Sequence, residues 1–228
     1  MEFPGLGDRL RQIQETVAAR QERAGWSHPV TVVAVTKTFG PDAVRAAAAA
    51  GLRDVGENRV QEALQKQERA AEAPVAWHLI GTLQRNKARH AVGRFALIHS
   101  VDREDLARDL DRRMPDGERQ PVLLQVNCSG EPQKGGVEPD GVIALLDRVR
   151  DCLRLEVRGL MTMSAYTDDE REQRRAFQRL RGVRDRAVQQ GYQLPELSMG
   201  MSGDFPAAVE EGATIIRIGT LLFGERPR

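Results

Sequence analysis

Apolar residues recur along this chain in short runs. After each run they return only every third or fourth position. Residues 30–36, VTVVAVT, are apolar and β-branched, and PDAVRAAAAAG follows them, with Pro41 near its start and Gly51 at its end. The first stretch predicts a strand and the second a helix, because proline suits the first helical turn and glycine the C-terminal cap. The pairing repeats. Strands are predicted at 52–58, 77–81, 96–102, 121–127, 155–163, 196–200 and 214–219. Helical segments are predicted between them at 59–71, 83–92, 103–113, 139–152, 168–190 and 204–212. Within 168–190, Phe177, Leu180, Val183 and Ala187 recur at spacings of three and four, which marks one buried helix face. Residues 5–25 predict an additional helix ahead of the first strand.

Eight strand candidates alternate with helices, and several are apolar on both faces, as in a parallel sheet covered on both sides. The fold class expected is therefore α/β, a single (β/α)8 TIM barrel with an extra N-terminal helix. A dinucleotide-binding open sheet is disfavoured, because TKTFGPD, not a glycine fingerprint, follows the first strand.

With 228 residues and no Ser/Gly-rich or low-complexity divider, residues 1–228 are expected to form one domain. Composition is that of an ordinary soluble chain, 40% hydrophobic and 29% charged. No apolar run reaches the length of a membrane span, and MEFPGLGDRLRQ has no secretory apolar core, so a cytoplasmic protein is expected. A net charge of +1 argues against a general nucleic-acid or membrane footprint. Cys128 and Cys152 are too few for a disulfide framework and lack metal-ligand spacing, so no metal is expected.

In such a barrel the chemistry sits at the C-terminal ends of the strands. TK (36–37), GEN (56–58), SMGMSGD (198–204) and RIGT (217–220) fall there. The last two follow the seventh and eighth strands, where barrels often bind phosphate. Their small residues let backbone N–H groups approach an anion, and Ser202 and Thr220 add hydroxyl donors. Closing the barrel makes the first and eighth strands neighbours, so Lys37 and Arg217 should share one mouth. Of four lysines, Lys66, Lys87 and Lys134 sit among polar neighbours, whereas Lys37 ends an apolar run. Beside a phosphate it could be an electrostatic clamp, a Schiff-base nucleophile or a snorkelling structural residue. His78 reads more readily as a satisfied core residue than as a catalytic base. GEPQKGG lacks the order of a phosphate-binding Walker loop, and Lys134 is expected in a loop near the mouth.

Seven stretches closely resemble the YggS/PROSC family of pyridoxal phosphate homeostasis proteins: AVTK (34–37), VGENRVQE (55–62), WHLIGTLQRNK (77–87), VNCSGEPQKGG (126–136), RGLMTM (158–163), LSMGMSGD (197–204) and IRIGTLLFGER (216–226). They occur in order and span almost the whole chain. The sequence departs from the family at Thr36, where serine is common, and at Gly40, where proline is. The resemblance implies a fold-type III barrel that binds pyridoxal 5′-phosphate (PLP), with Lys37 carrying it as an internal aldimine. It implies that Ser202, Gly219 and Thr220 hold the phosphate, that Arg217 faces the pyridine nitrogen, and that Asn58 and Met199 line the ring pocket.

The same barrel occurs in alanine racemase-like enzymes, which add a β domain supplying a second base. Here Arg228 follows Gly219 by nine residues, so that domain is expected to be missing, and neither Tyr166 nor Tyr192 matches a racemase position. An arginine opposite the ring nitrogen favours an unprotonated ring and weakens the electron sink. The expected function is therefore a cofactor carrier in vitamin B6 and amino-acid homeostasis, with no catalytic residue assigned. It is expected to be a monomer whose partners are PLP and PLP-requiring apo-enzymes. A single-domain PLP-dependent racemase is the first alternative, and a cofactor-free Schiff-base aldolase using Lys37 the second.

Overall fold

The computed structural model describes residues 3–131 and 134–225. Eight parallel strands, β1 (Thr31–Val35), β2 (Asp54–Glu57), β3 (Ala76–Leu79), β4 (Leu97–Val101), β5 (Gln120–Gln125), β6 (Leu155–Met161), β7 (Glu196–Ser198) and β8 (Ile215–Ile218), pair in sequence order. The ring closes where β8 pairs with β1, Val33 lying opposite Arg217. The α/β barrel expected from the alternation is thus present, and every expected strand lies within or close to its predicted segment.

The helices are α1 (Leu6–Ala24), α2 (Pro41–Ala49), α3 (Val60–Arg69), α4 (Ala88–Ala91), α5 (Glu104–Arg113), α6 (Val142–Arg148), α7 (Glu170–Gln189), α8 (Phe205–Glu210) and α9 (Thr220–Phe223). The helix predicted at 83–92 is in fact a 3-10 turn, Arg85–Lys87, followed by the single turn of α4. Only Ala88 and Ala91 of this segment's helical residues are buried, too small an apolar face to hold a longer helix. The segment at 139–152 likewise divides into a 3-10 turn, Pro139–Gly141, and α6. The short α9 has no counterpart among the predicted elements. On α7, Phe177, Leu180, Val183 and Ala187 are buried as their spacing requires, and the Asp169 carboxylate caps the helix by accepting the Arg171 N–H at 2.8 Å.

Side chains on a strand alternate between faces, and this alternation divides the core. Inside the barrel, Val33, Leu97, Leu123, Met161 and Ile215 pack together. Between barrel and helices lies a larger shell that includes Ala34, Val55, Ile98, Leu160 and Ile216. Stepping by two from the inner layer toward the C-terminal ends leads from Val33 to Val35 and Lys37, and from Ile215 to Arg217 and Gly219. All four of these later residues line one cavity at the mouth. The period of the strands therefore places chemistry above an apolar floor.

Candidate functional site

Lys37 lies two residues beyond β1, and its backbone is fixed from both sides. On the N-terminal side Thr36 is fully buried. Its N–H donates to the Gly56 carbonyl at 3.1 Å, its hydroxyl to Glu57 Oε1 at 2.6 Å, and its carbonyl accepts from Lys66 Nζ at 2.8 Å. Lys66 Nζ also lies 2.6 Å from Glu57 Oε1. Burial pushes the Glu57 carboxyl up from its ordinary value, opposed by its bonds to Lys66 and Thr36. On the C-terminal side Thr38 has φ of 70°, a left-handed conformation costly for a β-branched residue. Next, Phe39 is clasped by Phe3 and Phe223, with ring centroids 5.5 Å away in each case. The turn that presents Lys37 is thus held by a buried polar knot before it and an aromatic cluster after it.

The loop after β7 and the start of α9 meet at Ser202. Its Oγ accepts the Gly219 N–H at 3.3 Å and the Leu221 N–H at 3.4 Å. Gly203, Gly219 and Thr220 line the cavity beside it. Asp204 fixes this loop by accepting the Met201 N–H through Oδ1 and the Ser164 hydroxyl through Oδ2. An oxygen already stands where two backbone N–H groups converge, which is the arrangement an oxyanion needs.

Arg217 is buried on β8. Its guanidinium donates to Ser198 Oγ at 2.7 Å and to the Thr162 carbonyl at 3.0 Å. Burial lowers its pKa to about 10, opposed by the charge of Asp204, so it stays a cation at neutral pH.

The cavity has a volume of about 580 Å³. Lys37, Asn58, Ser202, Arg217, Gly219 and Thr220 all line it, so six of the seven residues singled out from sequence are brought together. Met199 is not with them: it is fully buried in the shell between barrel and helices. The strand alternation explains this, because Ser198 points inward to Arg217 and its neighbour must then point outward. Met163 and Met201 line the cavity in its place. Among the described residues that line it there are two cations, Lys37 and Arg217, and no carboxylate.

Sequence reasoning missed two groups. Lys66, set among polar neighbours in sequence, is buried beside Thr36. Val60, Ala63 and Lys66 are the buried residues of α3, so a spacing of three carried the signal. His99, fully buried, bonds His78 and Ser198; it shares the inward parity of Leu97. His78 itself is a satisfied core residue, bonded to Asp54 and His99. Lys134 donates to the Ser164 carbonyl and pairs with Glu131, outside the residues that line the cavity. No cluster of three or more metal-ligating side chains occurs among the described residues, and no described helix is long and apolar enough to cross a membrane.

The sequence profile described as "alanine racemase, N-terminal domain" matches residues 9–227. A relative from Aquifex aeolicus named pyridoxal phosphate homeostasis protein is 43% identical over 223 residues, covering 96% of this chain and 97% of its own. A relative of the same name from Pseudomonas aeruginosa is 46% identical over 224 residues, covering 97% and 96%. PipY of Synechococcus elongatus, solved with PLP bound, superposes with a TM-score of 0.84 at 39% identity, covering 96% of this chain and 100% of that one. Alanine racemase from Clostridium difficile gives a TM-score of 0.74 at 13% identity; it is similar in fold, and the match spans 57% of its chain.

Proposed function

Since the chain belongs to the family of pyridoxal phosphate homeostasis proteins, built on the alanine racemase N-terminal domain, we propose that it binds PLP at this cavity and holds and supplies it within vitamin B6 and amino-acid homeostasis. The observation that carries the reading is the lining itself: a lysine and a buried arginine, no carboxylate, and backbone N–H groups converging on Ser202 Oγ. That lining fits a phosphorylated, aldehyde-bearing anion.

When bound, PLP supplies an aldehyde that condenses reversibly with a primary amine and a ring that can withdraw electrons. Lys37 Nζ is the amine that holds it. Ser202, Gly219 and Thr220 take the phosphate, with the Leu221 N–H among the converging donors. Arg217 faces the ring nitrogen, and Asn58 borders the ring. A guanidinium only donates hydrogen bonds, so a nitrogen opposite Arg217 receives a bond without taking a proton. That keeps the ring a weak electron sink. The other titratable side chain at the mouth, Tyr166, is fully exposed and makes a poor fixed base. Both features support a carrier over a catalyst.

The finer reading is a monomer with residues 1–228 as one PLP-binding domain, located in the cytoplasm and delivering PLP to apo-enzymes that require it. The profile match over residues 9–227 and two free, buried cysteines support it. Calorimetric titration with PLP and with unphosphorylated pyridoxal tests the binding mode. PLP should bind far more tightly; equal affinities would overturn the phosphate cradle. Racemisation assays with chirally pure amino acids should show little turnover, and efficient turnover would favour the racemase.

A further inference from the structure

A line of hydrogen bonds crosses the barrel interior from its base to the cavity. Asp54 Oδ1 lies 2.9 Å from His78 Nε2, and His78 Nδ1 lies 2.9 Å from His99 Nε2. His99 Nδ1 lies 2.9 Å from Ser198 Oγ, which accepts from Arg217 at 2.7 Å. Five different strands, β2, β3, β4, β7 and β8, contribute to it, and none of these partners is adjacent in sequence.

The ends fix the direction. Arg217 has only donors, so Ser198 Oγ accepts from it. The serine proton is then left for His99 Nδ1, the hydroxyl's other partner. His99 therefore carries its proton on Nε2 and gives it to His78 Nδ1. His78 likewise carries its proton on Nε2 and gives it to Asp54, a carboxylate that only accepts. Every group is satisfied once. In the opposite sense, Ser198 Oγ would face two donors, and its own proton would have no acceptor in a fully buried site. His78 would also turn a lone pair toward the Asp54 carboxylate, unless it became an imidazolium. Leaving buried polar groups unpaired in this way is costly.

We propose that Asp54, His78, His99 and Ser198 are positioning residues for Arg217, forming a one-way donor line that keeps both imidazoles neutral, protonated on Nε2, and turns an acceptor toward the guanidinium at every link. The charged and titratable groups facing the line support this sense. His78 is faced by Asp54 from β2 and His99 from β4. His99 is faced by His78 from β3 and Arg217 from β8, with Ser198 bonded to it from β7. Burial first, and then the neighbouring His78 and the Arg217 guanidinium, disfavour a charge on His99 and hold it well below its ordinary pKa. Asp204 adds its attraction at the Arg217 end.

The line connects two places that differ in their access to water. The Asp54 side chain is 27% exposed and borders a cavity of about 410 Å³ between α1 and the first residues of β1 and β2. The other end is the mouth. A reversal of the donors at the Asp54 end would bring a second donor onto Ser198 and loosen Arg217 at the top. Resting on the reading that Arg217 faces the ring nitrogen, the line couples the cofactor site to the opposite face of the barrel.

The test is nitrogen-15 NMR of histidine-labelled, cofactor-free full-length protein, with His28 and His90 assigned by substitution. His78 and His99 should both show a protonated Nε2 and a bare Nδ1 through the neutral range. Ser198→Ala should release His99 into a mixture of tautomers, and Asp54→Asn should do the same at His78. Nδ1–H on either ring, an imidazolium at His78, or an unmoved His99 in Ser198→Ala would overturn the line. If Ser198→Ala fails to fold, the parent spectrum and Asp54→Asn decide. In PLP-loaded protein, Asp54→Asn should also shift the cofactor's absorption maximum, and an unmoved spectrum would contradict the coupling. The NMR arm needs no PLP, so its failure is distinct from a failure to bind the cofactor.

Discussion

Glu57 and Lys66 form a buried ion pair at 2.6 Å, and both side chains bond Thr36, the residue before Lys37. The pair ties β2 and α3 to the end of β1, so the lysine that defines the site is set by a second lysine that does not line the cavity.

Removing one member leaves the other charged and uncompensated in the interior. Lys66→Met should therefore destabilise the fold by about 3–5 kcal/mol. The double variant Glu57→Gln with Lys66→Met should recover part of the loss, and chemical denaturation measures both. The pH dependence has a defined sign. The Glu57 carboxyl is raised in the folded state above its ordinary 4.5. Its contribution to stability is thus fully present below that value and lost as pH rises through the elevated one. The Glu57→Gln variant should lack this decline.

Gly81 is needed for its missing side chain. A Cβ there would lie 2.3 Å from the Asn58 carbonyl oxygen, so Gly81→Ala must push the β2–α3 turn away from the mouth. The cost should be about 1–3 kcal/mol of stability, as for other overpacked sites. PLP affinity should fall with it. Unchanged affinity would remove Asn58 from the ring pocket.

Ser202→Ala and Thr220→Ala delete hydroxyls beside the converging backbone donors. Bonds to charged groups are worth about 1.5–3 kcal/mol, so each loss should weaken PLP binding by about one to two orders of magnitude. Pyridoxal, which lacks the phosphate, should bind almost as before. Equal losses for the two ligands would place the phosphate elsewhere.

Phe177→Ala serves as a contrast. Phe177 is fully buried on α7, outside the residues that line the cavity, and its truncation should cost about 3–5 kcal/mol in denaturation experiments. At temperatures where the variant is folded, PLP affinity should match the parent.

The sequence carried most of this arrangement, for identifiable reasons. Apolar runs separated by helical periods mark strands in a fully covered parallel sheet, and strand ends mark the mouth. Lys37, Asn58, Ser202, Arg217, Gly219 and Thr220 are therefore assignable to one mouth from the sequence, and all line the cavity. Met199 could not, because the parity of a three-residue strand is set by its neighbours. Choosing between Ser198 and Met199 as the inward residue requires knowing that Arg217 bonds Ser198. Lys66 was obscured by its own chemistry: a lysine in a polar helix reads as solvated until the Glu57 partner, nine positions away, is seen across the β2–α3 turn. His99 was hidden for a similar reason, since its partners come from β3 and β7, far apart in the chain.

Borohydride reduction of the PLP-loaded protein, followed by peptide mapping, tests the central claim most directly, because it fixes the cofactor to whichever lysine holds it. Lys37 should carry the label, and the protein should be yellow before reduction. Lys37→Ala should lose the label while the phosphate cradle still retains PLP weakly. Label on Lys66, Lys87 or Lys134 with Lys37 unmodified would contradict the account.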